Sequence, residues 1–225
     1  MHLDPALFLV LPVFVLSVIV HETAHGLVAL WCGDPTARDQ GRLTLDPRPH
    51  IDPMGSLLLP LLLYLFHAPF LFGWAKPVPV DHGRLRDPRN DAVRVALAGP
   101  AANLLLALTF AALAALTGAG ARAAGAAGGF VAALHAMALA GVVWNCALGL
   151  FNLIPIPPLD GSWVLMRFLR LRHVLALHQY RILGFGLLML LLATPATSNV
   201  LFYGPLRLAV RACLGLFGVP GAEAL

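Results

Sequence analysis

Charge is what this sequence has least of. Only 12% of its 225 residues are Asp, Glu, Lys or Arg, while 59% are hydrophobic. A soluble domain of this size carries roughly a quarter charged residues. Too little charge is present to cover a water-facing surface, and a mean hydropathy of +0.81 agrees, so the bilayer is the expected solvent. Cysteine is nearly absent as well. Cys32, Cys146 and Cys213 are odd in number, widely spaced and set in or beside apolar stretches, which argues against a disulfide framework and a cysteine-ligated metal site. Lysine occurs once, at Lys76, among many Arg, Ala and Pro, a composition that points weakly to a GC-rich prokaryotic genome. The basic residues are scattered over short loops without aromatic partners, which argues against a nucleic acid as partner. Met1 to Pro5 hold no Lys or Arg, so the basic start of a cleaved signal peptide is missing. The apolar run that follows continues past His21 to Trp31 and reads as a retained membrane helix.

Long apolar runs are what the sequence has instead. Five are predicted to cross ~30 Å of hydrocarbon as helices: Ala6–Trp31, Ala92–Thr117, Gly129–Leu153, Arg181–Pro195 and Asn199–Gly218, the fourth being short. A sixth, Met54–Phe72, has Pro53, Gly55, Pro60 and Pro69 in or beside it, which favours a broken or re-entrant path. Suppose that stretch dips in and returns. One face of the membrane then collects Arg38, Arg42, Arg48, Lys76, Arg84, Arg86, Arg89, Arg94, Arg167, Arg170, Arg172 and Arg181, and the other Arg122. A full crossing divides these residues less cleanly, so the positive-inside rule favours re-entry and a cytoplasmic basic face. The alternation in Trp74–Val80, with Pro77 and Pro79, predicts an extended edge segment. Trp31 and Trp74 suit the interfacial belt. Residues 118–129, mostly Gly and Ala, read as an outer loop.

The expected fold is therefore an all-α polytopic membrane protein with about five transmembrane helices, a re-entrant segment and a small edge-strand region. Residues 1–170 form the expected membrane-embedded core, and residues 171–225 supply C-terminal helices that pack on it.

Inside the first helix lies His21-Glu22-Thr23-Ala24-His25, an HExxH pattern. Two histidines four apart on a helix share a face and can hold one Zn²⁺. Glu22 projects beside them, where it can take a proton from water at the metal. Such residues are costly in lipid and need a polar partner or a chemical role; the competing reading is a polar cluster that only joins helices. A zinc site needs a third protein ligand with one position left open. Asp160 is the best candidate, in Phe151-Asn152-Leu153-Ile154-Pro155-Ile156-Pro157-Pro158-Leu159-Asp160-Gly161. The prolines break the helix as it leaves the membrane, and the site lies on the side where the first helix ends. The competing reading is that Asp160 caps a short helix.

With these two motifs in this order, the sequence resembles the site-2 protease family, across about residues 6–170. Ala98-Gly99-Pro100-Ala101-Ala102-Asn103, placed at the opening of the middle core helix, matches that family's GPxxN element. The resemblance implies His21, His25 and Asp160 as zinc ligands and Glu22 as catalytic acid/base. It implies for Asn152 a part in holding substrate or the reacting carbonyl oxygen. Asn103 is a weaker candidate for the same part, with hydrogen bonding across the core as the stronger reading. No PDZ-like or nucleotide-sensing domain is recognisable, which places the chain with the small bacterial subgroup lacking them. The implied activity is zinc-dependent cleavage of transmembrane protein substrates in a prokaryotic cell membrane, with the site facing the cytoplasm.

On this reading Trp74–Val80 can hold an unwound substrate strand by β-addition. His50 and Asp52 can line the mouth of the site or form a loop pair. His67, His82, His135, His173 and His178 have no second ligand at helical spacing. Two other classes compete: a zinc transporter, which calls for ligands on several more helices, and an inactive relative that binds membrane proteins, which calls for loss of an essential residue.

Overall fold

The structure, a computed structural model, describes residues 5–58, 61, 62, 65, 66, 74–124 and 129–220. Hydrocarbon offers backbone groups no partners, so long apolar runs satisfy themselves as helices. Three dominate: α1 (Pro5–Trp31), α3 (Pro88–Ala124) and α4 (Phe130–Asn152), with the single turn α2 (Thr36–Asp39) between the first two. At ~1.5 Å per residue each of the three long helices exceeds the ~30 Å of a bilayer core. They pack on one another as a bundle. Between α3 and α4 the contact surface is made of small residues, with Ala107, Ala111, Ala114 and Ala138 fully buried. A side chain at Gly141 would run into the ring of Phe110. Close backbone approach of this kind drives helix association where lipid removes the hydrophobic incentive.

Helix α3 begins four residues earlier than its hydropathy predicts. Asp87 accepts the Asn90 N–H at 3.1 Å, Asp91 reaches back to the Asp87 N–H at 2.9 Å, and Pro88 occupies the first turn. Pro100 consequently lies inside the helix, not at its opening, and supplies no N–H to the Ala96 carbonyl.

Beyond α4 come α5 (Gly161–Met166), α6 (Leu171–Gln179), α7 (Arg181–Ala193), α8 (Pro195–Ser198), a π-helical turn Asn199–Tyr203 and α9 (Gly204–Leu216). The two separate spans expected here are not found as such: Ile182–Ala193 and Pro195–Leu216 have the character of a span together, as a pair bent by 96°. The backbone is extended at Thr194, before Pro195, and helical from there through the π-helical turn into α9. Helix α9 carries exposed Arg207 and Arg211. The described chain thus has three helices that can each cross a membrane, or four spans if the bent pair counts as one. The buried face of α9, Val210, Cys213 and Leu214, completes the α3–α4 cluster.

Residues Pro53–Leu58 form a π-helical turn. Most of the expected re-entrant path after it lies outside the described residues. No strand occurs among the described residues, so the edge strand expected at Trp74–Val80 is not formed. Its alternate N–H groups are spent locally: Trp74 donates to the Gly55 carbonyl at 3.2 Å and Lys76 to His50 at 2.9 Å. The partner segment there is a turn, which offers no ladder to join.

Candidate metal centre

His21 and His25 sit one turn apart on α1, with their Nε2 atoms 3.0 Å from each other. Asp160 Oδ2 lies 3.1 Å from the first and 3.3 Å from the second. Each imidazole is gripped from behind. His21 Nδ1 meets the side-chain oxygen of Asn103 at 2.5 Å, and His25 Nδ1 meets the Val95 carbonyl at 2.7 Å. Those partners only accept, so both Nδ1 atoms carry the proton and both Nε2 lone pairs face the carboxylate. Three acceptors then converge without a donor, which is unfavourable unless a cation lies among them. A tetrahedral ion with bonds of ~2.0–2.1 Å spaces its donors ~3.3 Å apart, close to the separations found. The donor set and its geometry fit zinc, with the hydrogen-bonded rear that such histidines need.

Asp160 arrives by a fold-back of the chain after α4. Ile156 N–H bonds the Ile154 carbonyl at 2.8 Å, Leu159 N–H bonds Ile156 at 3.0 Å, and the Pro157–Pro158 peptide is cis. Gly161 then lies so close to Leu153 and Ile154 that a Cβ would fall 2.8 Å from the Ile154 carbonyl oxygen. The residue precedes α5, yet its side chain makes no capping bond and goes to the histidines instead. Arg89 secures α5 by donating to the Arg167 carbonyl, and Arg167 donates to Asn90 at 2.7 Å.

Gly99 forms the wall beside the pair. A Cβ there would stand 2.6 Å from His21 Nε2. Its smallness therefore admits the histidines, in addition to any part in helix packing.

Glu22, half-buried, is held by a different element. Its Oε2 accepts the Val78 N–H at 2.8 Å. The Trp74–Val80 strap that supplies this donor is tied down by Arg42, a buried guanidinium that donates to the carbonyls of Lys76 at 2.8 Å and Pro77 at 3.2 Å. Gly26, one residue past His25, leaves room for Val78: a Cβ would lie 2.8 Å from its side chain. Further along, Asp34 is fully buried and accepts the Asp81 N–H at 2.7 Å.

The remaining candidates divide. Asn103 is fully buried behind His21, with its amide donating to Asn145 at 2.9 Å. Asn152 donates to the Leu148 carbonyl one turn back at 3.0 Å. His50 is bonded to Thr44 O at 3.0 Å and Asp52 to the Gly55 N–H at 2.6 Å, so both belong to the strap's bed. His135 pairs with Thr117 at 3.1 Å, and the His82 ring stands 4.2 Å from that of Trp163. His173 lines an apolar cavity of about 600 Å³ beside Pro155 and Pro157. His67 lies outside the described residues. Reading the sequence missed Ser17, Asn145 and the task of Arg42. A signal for the first two existed: single polar residues in apolar helices, Ser17 four before His21 and Asn145 seven before Asn152.

A buried histidine pair and a carboxylate, held among membrane-length helices, form a donor set that could take a metal ion. The chain belongs to peptidase family M50, the site-2 proteases, whose pattern matches residues 123–193. It is 36% identical over 197 residues to the "Putative zinc metalloprotease YwhC" of Bacillus subtilis, covering 85% of each chain. The "Putative zinc metalloprotease Rip2" of Mycolicibacterium smegmatis is 32% identical over 198 residues, 86% of this chain and 70% of the relative. Its counterpart in Mycobacterium tuberculosis is 33% identical over 195 residues, 85% and 68%. No solved structure matches.

Proposed function

We propose that this protein is a zinc-dependent endopeptidase that hydrolyses peptide bonds of membrane-protein substrates within or beside the bilayer. The observation that carries the reading is the convergence of His21, His25 and Asp160 on one point, with Glu22 next to them on the same helix. His21 Nε2, His25 Nε2 and an Asp160 oxygen would hold the ion, whose chemistry there would be to acidify a water and polarise a carbonyl group. Glu22 takes a proton through its carboxylate and returns it to the leaving amine. The Val78 N–H fixes Oε2, so Oε1 is the oxygen that accepts the proton. Asn152, at the end of α4, is the side chain assigned to the substrate carbonyl.

The substrate must be unwound first, because a helix hides its carbonyls. β-Addition along the strap is limited by its composition: with Trp74, Lys76 and Val78 N–H engaged and Pro77 and Pro79 lacking one, Ala75 supplies the donor between 74 and 79. Substrate pairing there rests on the strap's carbonyl oxygens. The site opens toward the cytoplasm, as the excess of Arg on the loops near it requires.

Zinc content of purified wild type, Glu22→Gln and His25→Ala, measured together with cleavage of a transmembrane substrate, tests this. Zinc in the first two and cleavage only in wild type is expected, with Glu22→Gln slower by about 10²–10⁴-fold. Well-folded wild type without zinc would overturn the ligand assignment. Zinc binding with transport into sealed vesicles and no cleavage would make the protein a transporter.

A further inference from the structure

Behind His21 the three long helices meet around polar side chains that hydrolysis does not use. Ser17 on α1, Asn103 on α3 and Asn145 on α4 are all fully buried. Asn145 Nδ2 donates to the Gly141 carbonyl at 2.9 Å and to Ser17 Oγ at 2.8 Å. Ser17 Oγ donates in turn to the Val13 carbonyl at 2.7 Å. Asn103 Nδ2 donates to Asn145 Oδ1 at 2.9 Å and to the Ser17 carbonyl at 3.3 Å. Asn103 Oδ1 meets His21 Nδ1.

The order of these bonds is forced. A backbone carbonyl such as Gly141 O only accepts, so the Asn145 amide must present its nitrogen there and its oxygen to Asn103. Asn103 must then answer with its nitrogen, which turns its oxygen to His21. An oxygen at that place demands a proton on Nδ1 and leaves the Nε2 lone pair facing Asp160. Reversing any amide sets two donors or two acceptors against each other among fully buried side chains.

We propose that Asn145, seconded by Ser17, is a positioning residue that fixes the Asn103 amide and through it the metal-ready form of His21. The relay is anchored at the backbone carbonyls of α4 and α1 and delivers its orientation to a ligand on α1 through a side chain of α3. The inference rests on the zinc reading above and extends it to two residues that touch neither metal nor substrate.

The test uses the full chain in lipid nanodiscs. Zinc affinity is measured by chelator competition, and the visible spectrum of the Co²⁺-loaded protein reports ligand geometry, for wild type, Asn145→Leu, Ser17→Ala and Ser17→Thr. Asn145→Leu keeps volume and removes the anchor; its zinc affinity is expected to fall about 10- to 100-fold with an altered cobalt spectrum. Ser17→Ala should lose less, and Ser17→Thr, which keeps the hydroxyl, should restore it. Wild-type affinity and spectrum in Asn145→Leu would overturn the proposal, as would equal values in the two Ser17 variants if Asn145→Leu does not fold. A wild type that binds neither metal would instead overturn the zinc reading on which the proposal stands.

Discussion

The rear of the histidine pair and its front are built from different material. At the rear, ligand geometry is set by side chains of three membrane helices, fully buried and bonded in a fixed order. At the front, Glu22 is met by the backbone of an irregular strap, and that strap hangs on one guanidinium and a few loop contacts. On the proposed function, metal ligands must not move during turnover, so a rigid rear serves them. The proposed general base has to meet an incoming polypeptide, and a loop can yield where a helix bundle cannot. The difference separates metal affinity from proton transfer, and each can be attacked alone.

The largest effect should come from the rear wall. Gly99→Ala places a methyl group where His21 and His25 already stand, so the histidines lose their convergence or α3 moves away. Zinc affinity is expected to fall by more than about 100-fold, read as metal retained after dialysis. Gly149→Ala on α4 sharpens the comparison: its Cβ would lie 3.3 Å from the Pro100 carbonyl, a contact that small shifts relieve, and zinc should be retained. If both variants keep zinc, the packing argument for Gly99 fails.

Attack on the front should leave the metal in place. Arg42→Ala frees the Lys76 and Pro77 carbonyls, and the Val78 N–H next to them is no longer held on Glu22. Cleavage is expected to slow by about 10- to 100-fold, the cost of a misplacement near 1 Å, with unchanged zinc content. Arg42→Lys should fall between, since its ammonium keeps the charge but sits on a shorter side chain than the guanidinium whose Nη2 serves both carbonyls. A loss of zinc in Arg42→Ala equal to the loss of rate would erase the division between front and rear.

The smallest effect is on stability alone and depends on pH. Burial pushes the Asp34 carboxyl up, but the Thr36 hydroxyl, the Thr36 and Asp81 N–H groups and Arg84 together hold it below its ordinary value. A folded value below the unfolded one of ~3.9 gives a stabilisation that is complete above the unfolded value and vanishes as pH falls through the folded one. Asp34→Asn should therefore melt about 2–4 °C below wild type at pH 7. The gap should narrow as pH falls below the ordinary carboxylate value and close once the folded carboxyl is protonated. An equal gap at both ends of that range would remove Asp34 from the strap's anchorage.

How much of this was readable beforehand follows the same division. HExxH and the Pro-rich stretch to Asp160 announce themselves because ligand spacing on one helix and a helix-breaking run are local properties of sequence. The length of α1 and α4 is equally local. What escaped depends on contacts between elements distant in the chain. Gly99 reads as a packing residue until His21, 78 positions earlier by residue number, is set against it. Arg42 reads as one more loop cation until the strap's carbonyls surround it. The edge strand was expected from alternation, but a strand needs a partner ladder, and residues near Gly55 form a turn. The two C-terminal spans were read from hydropathy, which does not register the sharp bend at Thr194–Pro195 that turns the two pieces 96° from one another.

The separation of Asp160 from His21 along the chain, 139 positions, has a bearing on biogenesis. At ~5–20 residues per second of synthesis, the third donor leaves the ribosome on the order of ten seconds after the histidines. Throughout that interval the nascent chain exposes an HExxH helix to the insertion machinery and to its neighbours with two ligands only. The donor set closes when α4 has inserted and the chain has turned back on Gly161. On the proposed function, hydrolytic competence is thereby tied to the finished topology, and a truncated or stalled product would carry the motif without the means to use it.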